Sequence, residues 1–336
     1  MQQTLKNPLT AEGIGLHSGC KVKMTFLPAP ANHGIVFCRT DLPGRPLIPA
    51  LYTQVADTRN CTCLSDGKGA FVSTVEHLMA ALRMVGVDNA LIEVDNQELP
   101  IMDGSAKPFY DLLSAAELLS RELPRKRLRV LRKVSFADDK GNEVSLGPAA
   151  DFSIRFEIEF PSRIVGHQVF DGKIDRDVFA AEIAPCRTFC EKYQVDYLQS
   201  IGLIKGGSLE NAVVLDGETV LNPEGFRVAD ECVNHKVLDA IGDLYTSGYY
   251  IIGKLTANKT GHYYFFAILN EKVSDDLVSN EGELKWFSLN KLDELEMPYT
   301  ARYVMDHYCL VGQYSDKIYT GVANENEVIF LELPEF

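Results

Sequence analysis

Along residues 73–82, Ser-Thr-Val-Glu-His-Leu-Met-Ala-Ala-Leu, the apolar positions Val75, Leu78, Met79 and Leu82 recur at helical spacing and predict an amphipathic helix that buries one stripe. A second stretch, residues 235–243, has the same period: Val237, Leu238, Ile241 and Leu244 fall on one face, and His235, Asp239 and Asp243 form a polar stripe roughly opposite. Elsewhere the pattern shortens to strand-like runs at 89–94, 128–135, 153–160 and 250–257, with further helices expected at 107–119 and near 176–181. Pro124 and the basic run 121–133 mark a boundary between two halves of similar build. Strands grouped with helices, without regular alternation, predict layered α+β domains over residues 1–122 and 127–270.

Size and charge narrow the picture. A chain of 336 residues is long enough for two ordinary domains with sizeable cores. A formal net charge of −14 argues against a nucleic-acid partner, because phosphate recognition needs clustered Lys and Arg. The basic run at 121–133 reads as a solvated linker leading into a strand. No apolar run has the length of a membrane-spanning helix and the N-terminus lacks a signal-peptide pattern, so a cytoplasmic protein is expected, and no obligate protein partner is evident. The eight cysteines are scattered, which suits reduced thiols. Cys61 and Cys63 alternate on a strand-like run and read as core packing, since no second close pair completes a zinc knuckle.

The polar residues of the two helices carry the candidate chemistry, and each has two readings. Glu76 lies three residues after Ser73 and so fits a capping box; equally, it fits a general base beside a metal-ligating histidine. His77 is either a half-buried core imidazole or a zinc ligand. The stripe His235, Asp239 and Asp243 is either a solvated helix face or half a metal site. One ligand from the first helix and two from the second, with an open fourth position, would make a catalytic centre that neither helix builds alone.

Several segments in fixed order go further than spacing can. Gly-Ile-Gly-Leu-His-Ser-Gly (13–19), Asp-Thr-Arg-Asn-Cys-Thr-Cys-Leu (57–64), the Glu-His helix, Met-Asp-Gly-Ser-Ala-Lys-Pro-Phe (102–109), Cys-Arg-Thr-Phe (186–189), Gly-Gly-Ser-Leu-Glu-Asn-Ala (206–212), the His-Lys helix and Thr-Gly-His (260–262) together resemble the UDP-3-O-acyl-N-acetylglucosamine deacetylases, zinc enzymes of lipid A synthesis in Gram-negative bacteria. The resemblance runs from residue 1 to about 265. It implies two α/β sandwiches of similar topology with the active site between them, and a small acylated UDP-sugar as substrate. It further implies His77, His235 and Asp239 as zinc ligands, Glu76 as general base and Thr188 as hydroxyl donor to the oxyanion. His262 becomes a positively charged stabiliser or general acid held by Asp243; either Glu76 or His262 delivers the proton to the leaving amine. Lys236 matches a lysine at the substrate's polar head, where a solvent-facing charge is the alternative. Phe189, Ile201, Gly202 and Leu203 fall where an apolar passage for the acyl chain is expected, or are ordinary core. His17, His33 and His167 are expected to be structural.

The resemblance stops just after His262. Residues 283–336 are similar instead to the C-terminal part of a Nudix hydrolase, without the Glu-rich box that binds its metal. Three functions therefore compete: the zinc deacetylase, a catalytically impaired relative that keeps the zinc and sugar-nucleotide cleft, and a Nudix-type pyrophosphatase, which the missing box disfavours. The tail is expected to contribute no ligand or base.

Overall fold

The computed structural model describes residues 1–58, 60–137, 142–160, 162–200 and 202–258, together with four short strands near the C-terminus. Two compact units divide the chain, Met1–Ile268 and Leu269–Phe336. The larger is α+β.

Its first sheet contains β1 (Leu9–Ile14), β2 (Lys21–Pro28), β3 (Ile35–Arg39), β4 (Leu47–Pro49) and β5 (Ala90–Val94) in the spatial order β1-β2-β5-β3-β4. The second contains β6 (Val134–Ala137), β7 (Glu143–Gly147), β8 (Phe152–Glu159), β9 (His167–Lys173) and β10 (Tyr250–Asn258) in the order β6-β7-β10-β8-β9, the same order with every label raised by five. The pairings repeat as well. In each sheet the strand latest in sequence lies at the centre, parallel to one neighbour (β3 or β8) and antiparallel to the other (β2 or β7).

Three helices lie over these sheets: α1 (Glu76–Val85), α2 (Lys107–Ser114) and α3 (Glu231–Tyr245). The α1 stripe Val75, Leu78, Met79 and Leu82 enters the core of the first sheet with Phe26, Phe37 and Ile92, as its spacing predicts. Ala80 and Met84, on another face of α1, belong to the core of the second sheet, with Ile154, Leu255 and the α3 residues Val237, Leu238, Ile241 and Leu244. A helix buried on more than one face is a shared wall between cores, and every α1 residue except Arg83 is buried. The two helices cross at Gly242, where an added Cβ would lie 2.0 Å from the backbone oxygen of Glu76 and 3.1 Å from the Ala80 nitrogen. Only glycine permits that approach.

Some expected elements are cut short by tertiary partners. The helix expected over 107–119 stops at Ser114, because Leu118–Ser120 pairs antiparallel with Gln3–Leu5. The strand expected over 128–135 is two strands with different partners: Arg127–Arg129 runs parallel to the start of β10, whereas Val134–Ala137 pairs with β7. The helix near 176–181 is one α turn, Arg176–Val178, capped by the Asp175 side chain and widening into a π turn over Phe179–Ile183 whose Phe179 and Ile183 are buried. The basic run is not wholly solvated. Arg125 pairs with Asp88 at 2.8 Å, and with Arg83 it stacks on the Tyr250 ring, at 4.3 and 4.0 Å from the ring centre.

In the smaller unit Val278–Ser279 pairs antiparallel with Gly282–Glu283, and Tyr319–Ala323 with Val328–Glu332. Most of the Nudix-like tail and the apolar stretch 263–269 lie outside the described residues.

Candidate metal centre and active site

His77 stands in the first turn of α1, and His235 and Asp239 stand one turn apart on α3, so the crossing at Gly242 brings the three together. Their ligand atoms all lie within 4.8 Å of one another, and all three residues are buried. Asp239 Oδ1 is 3.6 Å from His77 Nε2 and 3.5 Å from His235 Nε2, with the two imidazole planes at 84°. A tetrahedral ion with bonds of about 2.0–2.1 Å separates its ligand atoms by about 3.3–3.5 Å, close to the two spacings at Asp239. Asp239 Oδ1 is also buried without a hydrogen-bond donor, a costly state for a carboxylate oxygen that a cation would relieve. The solvated-face reading of this stripe therefore fails, and the cluster fits a metal.

The His235 ring is oriented from behind. Its Nδ1 lies 3.0 Å from the carbonyl oxygen of Cys186, which places the proton on Nδ1 and leaves the Nε2 lone pair facing the cluster. Burial pushes this imidazole down to about 3, which keeps it neutral. Burial alone would raise the Asp239 carboxyl, but His235, Lys236 and His77 hold it below the usual carboxylate range. Lys236 is not solvent-facing. Its Nζ is buried 3.4 Å from Asp239 Oδ2 and 5.3 Å from the centre of the Phe189 ring.

Glu76 does not close a capping box. Its side chain turns inward and its Oε2 accepts the Thr62 N–H at 3.0 Å, while Val75 occupies the N-cap position without a side-chain bond. Burial, with Asp239 adding to it, pushes the Glu76 carboxyl up to about 7. The Thr62 hydroxyl donates to Asp243 Oδ1 at 2.6 Å. Burial and the neighbouring Glu76 raise the Asp243 carboxyl well above its ordinary value, and it stands outside the three-residue cluster. Cys61 and Cys63 also stand outside it; burial pushes their thiols up to about 12 and 11.

The sequence motifs converge here through backbone bonds. Thr188 N donates to Gly104 O at 2.8 Å, and Thr188 O accepts from Val213 N at 2.8 Å. Gly104 has φ +82, and a Cβ there would meet the Asn211 oxygen at 1.9 Å, so the 102–109 and 206–212 motifs are in backbone contact. Lys205 N and Gly206 N donate to His17 O and Leu16 O, which seats the 13–19 loop against the same segment. Glu98 holds that loop from the other side, accepting the N–H groups of His17 and Ser18 at 2.7 and 2.8 Å. Both ring nitrogens of His17 are buried without a hydrogen-bond partner. His33 and His167 make local bonds to Gly34 O and Glu157.

Phe189 opens a short strand and packs edge-on against Phe160 at 5.3 Å. Gly202 is exposed at φ +79 in the turn that ends the helix Lys192–Ser200, so the ordinary-core reading does not hold for it. Ile201 and His262 lie outside the described residues. Spacing did not single out Thr62, Glu98, Arg187, Glu231 or Gly242. The partner of each of the first four is far away in sequence; the signal for Gly242 was a glycine in the middle of a helical pattern. Thr74 at φ +60 lies just before the N-cap of α1, and Asp230 at φ +54 is the N-cap of α3, so a strained, left-handed residue stands at the entry to each ligand-bearing helix.

The profile of one protein family, UDP-3-O-acyl N-acetylglycosamine deacetylase, matches residues 2–274. A UDP-3-O-acyl-N-acetylglucosamine deacetylase from Shewanella sp. (strain W3-18-1) is 46% identical over 291 residues, covering 84% of this chain and 94% of that protein. Proteins of the same name from Shewanella sp. (strain ANA-3) and Shewanella baltica (strain OS155) are 43% identical over 305 residues, covering 89% of this chain and 97% of theirs. Among the described residues, no helix is long and apolar enough to cross a membrane.

Proposed function

This chain belongs to the UDP-3-O-acyl N-acetylglycosamine deacetylase family, and from that premise we propose how its own residues carry out the reaction. It is a hydrolase that removes the acetyl group of UDP-3-O-acyl-N-acetylglucosamine in lipid A synthesis. The family is one of metalloenzymes, and we infer that the metal here is zinc, held by His77, His235 and Asp239. Two imidazoles and one carboxylate suit zinc better than magnesium or calcium, which favour all-oxygen sites. Bound there, zinc supplies Lewis acidity for the acetamide carbonyl and for the attacking water.

The chain's residues do the rest. Glu76, buried and raised to about 7, is poised near neutral pH to take the proton of the attacking water. Thr188, held between Gly104 and Val213, offers its hydroxyl to the developing oxyanion. Lys236 places a buried positive charge beside the site for the substrate's polar head, and Phe189 begins the apolar side for the acyl chain. His262 serves as an imidazolium whose charge would draw the raised Asp243 carboxyl back toward its charged form, and the leaving amine takes its proton from His262 or from Glu76. We read residues 1–122 and 127–270 as the two deacetylase halves. The protein acts in the cytoplasm on a small acylated UDP-sugar and needs no obligate partner; the described cysteines are all unpaired, which suits a reducing compartment.

The observation that carries this reading is the buried His77–His235–Asp239 cluster with its undonated carboxylate oxygen, beside an inward-facing Glu76. The test pairs zinc content with deacetylation of a UDP-3-O-acyl-N-acetylglucosamine. The wild type is expected to hold about one zinc per chain at this site. Glu76→Ala keeps the zinc and loses on the order of 10² to 10⁴ in turnover, whereas His77→Ala loses both. Near-normal turnover in Glu76→Ala would remove the proposed base.

A further inference from the structure

Arg187 lies between Cys186, whose carbonyl orients His235, and Thr188, whose hydroxyl is assigned to the oxyanion. Its side chain is wholly buried, and so is that of Glu231, the first residue of α3. Glu231 Oε1 accepts both the backbone N–H and the Nε–H of Arg187 at 2.9 Å, and Oε2 accepts Arg187 Nη2 at 3.3 Å and the Arg227 N–H at 2.7 Å. Arg187 Nη1 donates to Glu224, and Nη2 donates to the Gly225 carbonyl at 2.7 Å.

These bonds close a ring. Glu231 and His235 are one helical turn apart on α3. Glu231 binds the backbone of Arg187, and His235 donates Nδ1–H to the carbonyl of Cys186, the residue before it. One turn of the ligand-bearing helix is thus fastened at both ends to two consecutive residues of the segment that leads into the strand at Phe189. A buried ion pair is a poor source of stability compared with apolar side chains of the same volume, so geometric control is the better account of keeping one here with each guanidinium nitrogen hydrogen-bonded.

We propose that the buried Arg187–Glu231 pair is a positioning device of the active site, fixing the Cys186 carbonyl that aims His235 and, through the next residue, the Thr188 hydroxyl. The proposal rests on the metal and oxyanion roles assigned above. Neither residue touches the substrate; both act through His235 and Thr188.

The experiment uses the full chain and reads zinc affinity by competition with a chelator, the visible spectrum of the cobalt-substituted protein, and kcat separately from KM. Glu231→Gln keeps the shape and removes the charge. Because it strands a buried guanidinium and can unfold the chain, the double variant Arg187→Met with Glu231→Leu, which removes both ions, provides the decisive comparison. In the folded double variant, zinc affinity should fall by about 10 to 100-fold, the cobalt spectrum should shift, and kcat should drop more than KM rises. Glu231→Asp, which keeps the charge pair at a shorter reach, should recover part of the loss. A folded double variant with zinc affinity and kcat within about twofold of wild type overturns the proposal. Wild-type protein lacking zinc affinity and deacetylation would instead take down the functional reading, and this inference with it.

Discussion

Thr62, which no spacing argument singled out, stands between the two raised carboxylates of the site, giving its N–H to Glu76 and its hydroxyl to Asp243. Its role depends on a contact across 181 residues, and local sequence does not carry such information. The metal cluster was more legible because two of its members sit on one helix stripe; that stripe's burial, and the inward turn of Glu76, needed the fold. Glu76 also makes stability depend on pH. Its folded-state value of about 7 lies above the ordinary 4.5, so the metal-free native state binds more protons than the unfolded chain between those limits. The resulting stabilisation is complete below about pH 4.5 and is lost as pH rises through about 7, by an order of a few kcal/mol. Urea unfolding of zinc-free protein at a series of pH values is expected to show that fall, and added zinc to offset it by favouring the charged carboxylate. A flat profile would mean that Glu76 is not held in a dry environment.

At the scale of elements, the apolar periods of α1 and α3 predicted which residues face the cores, and the structure puts Val75, Leu78, Met79, Leu82, Val237, Leu238, Ile241 and Leu244 there. What the periods could not give was the crossing. Gly242 reads in isolation as a weak point of a helix, costing about 1 kcal/mol against alanine, yet it is the point where the two ligand-bearing helices touch. Gly242→Ala gains that propensity and loses the approach, since its Cβ would meet the Glu76 oxygen at 2.0 Å. The helices must separate, at an expected cost of about 1–3 kcal/mol by thermal or urea unfolding. His77 moves with α1, so zinc affinity should fall together with stability. Unchanged affinity in a destabilised variant would show that the site tolerates the shift. The shortened helix at 107–114 and the divided strand at 127–137 were illegible for the same reason: their ends are set by partners remote in sequence.

For the whole molecule, the α+β class was legible from grouped strands and helices, but the repeated sheet order was not, because it rests on pairings between strands as distant as β7 and β10. The proposed ligands and base lie between Thr62 and His262, ahead of the smaller unit's strands. Truncation after Asn280 is therefore expected to leave zinc binding intact and to keep much of the deacetylation, whereas truncation after His262 should lower the melting temperature of the remaining chain. Loss of activity on truncation after Asn280 would show that the tail has become part of the working fold.

The repeated sheet order also sets a sequence of events in time. In each half the central strand is made last: β5 must enter between β2 and β3, and β10 between β7 and β8. Until then two separate hairpins present unpaired edges on the sides that will later face each other, and such edges are ready templates for the wrong partner. During synthesis the first half can close its sheet as soon as Val94 is available, while the second must wait through the whole of α3 for β10. The nascent chain thus makes about twice as many residues with an open second sheet as with an open first one, and the residues made in that interval include His235 and Asp239, which complete the metal cluster only beside a first half that is already standing.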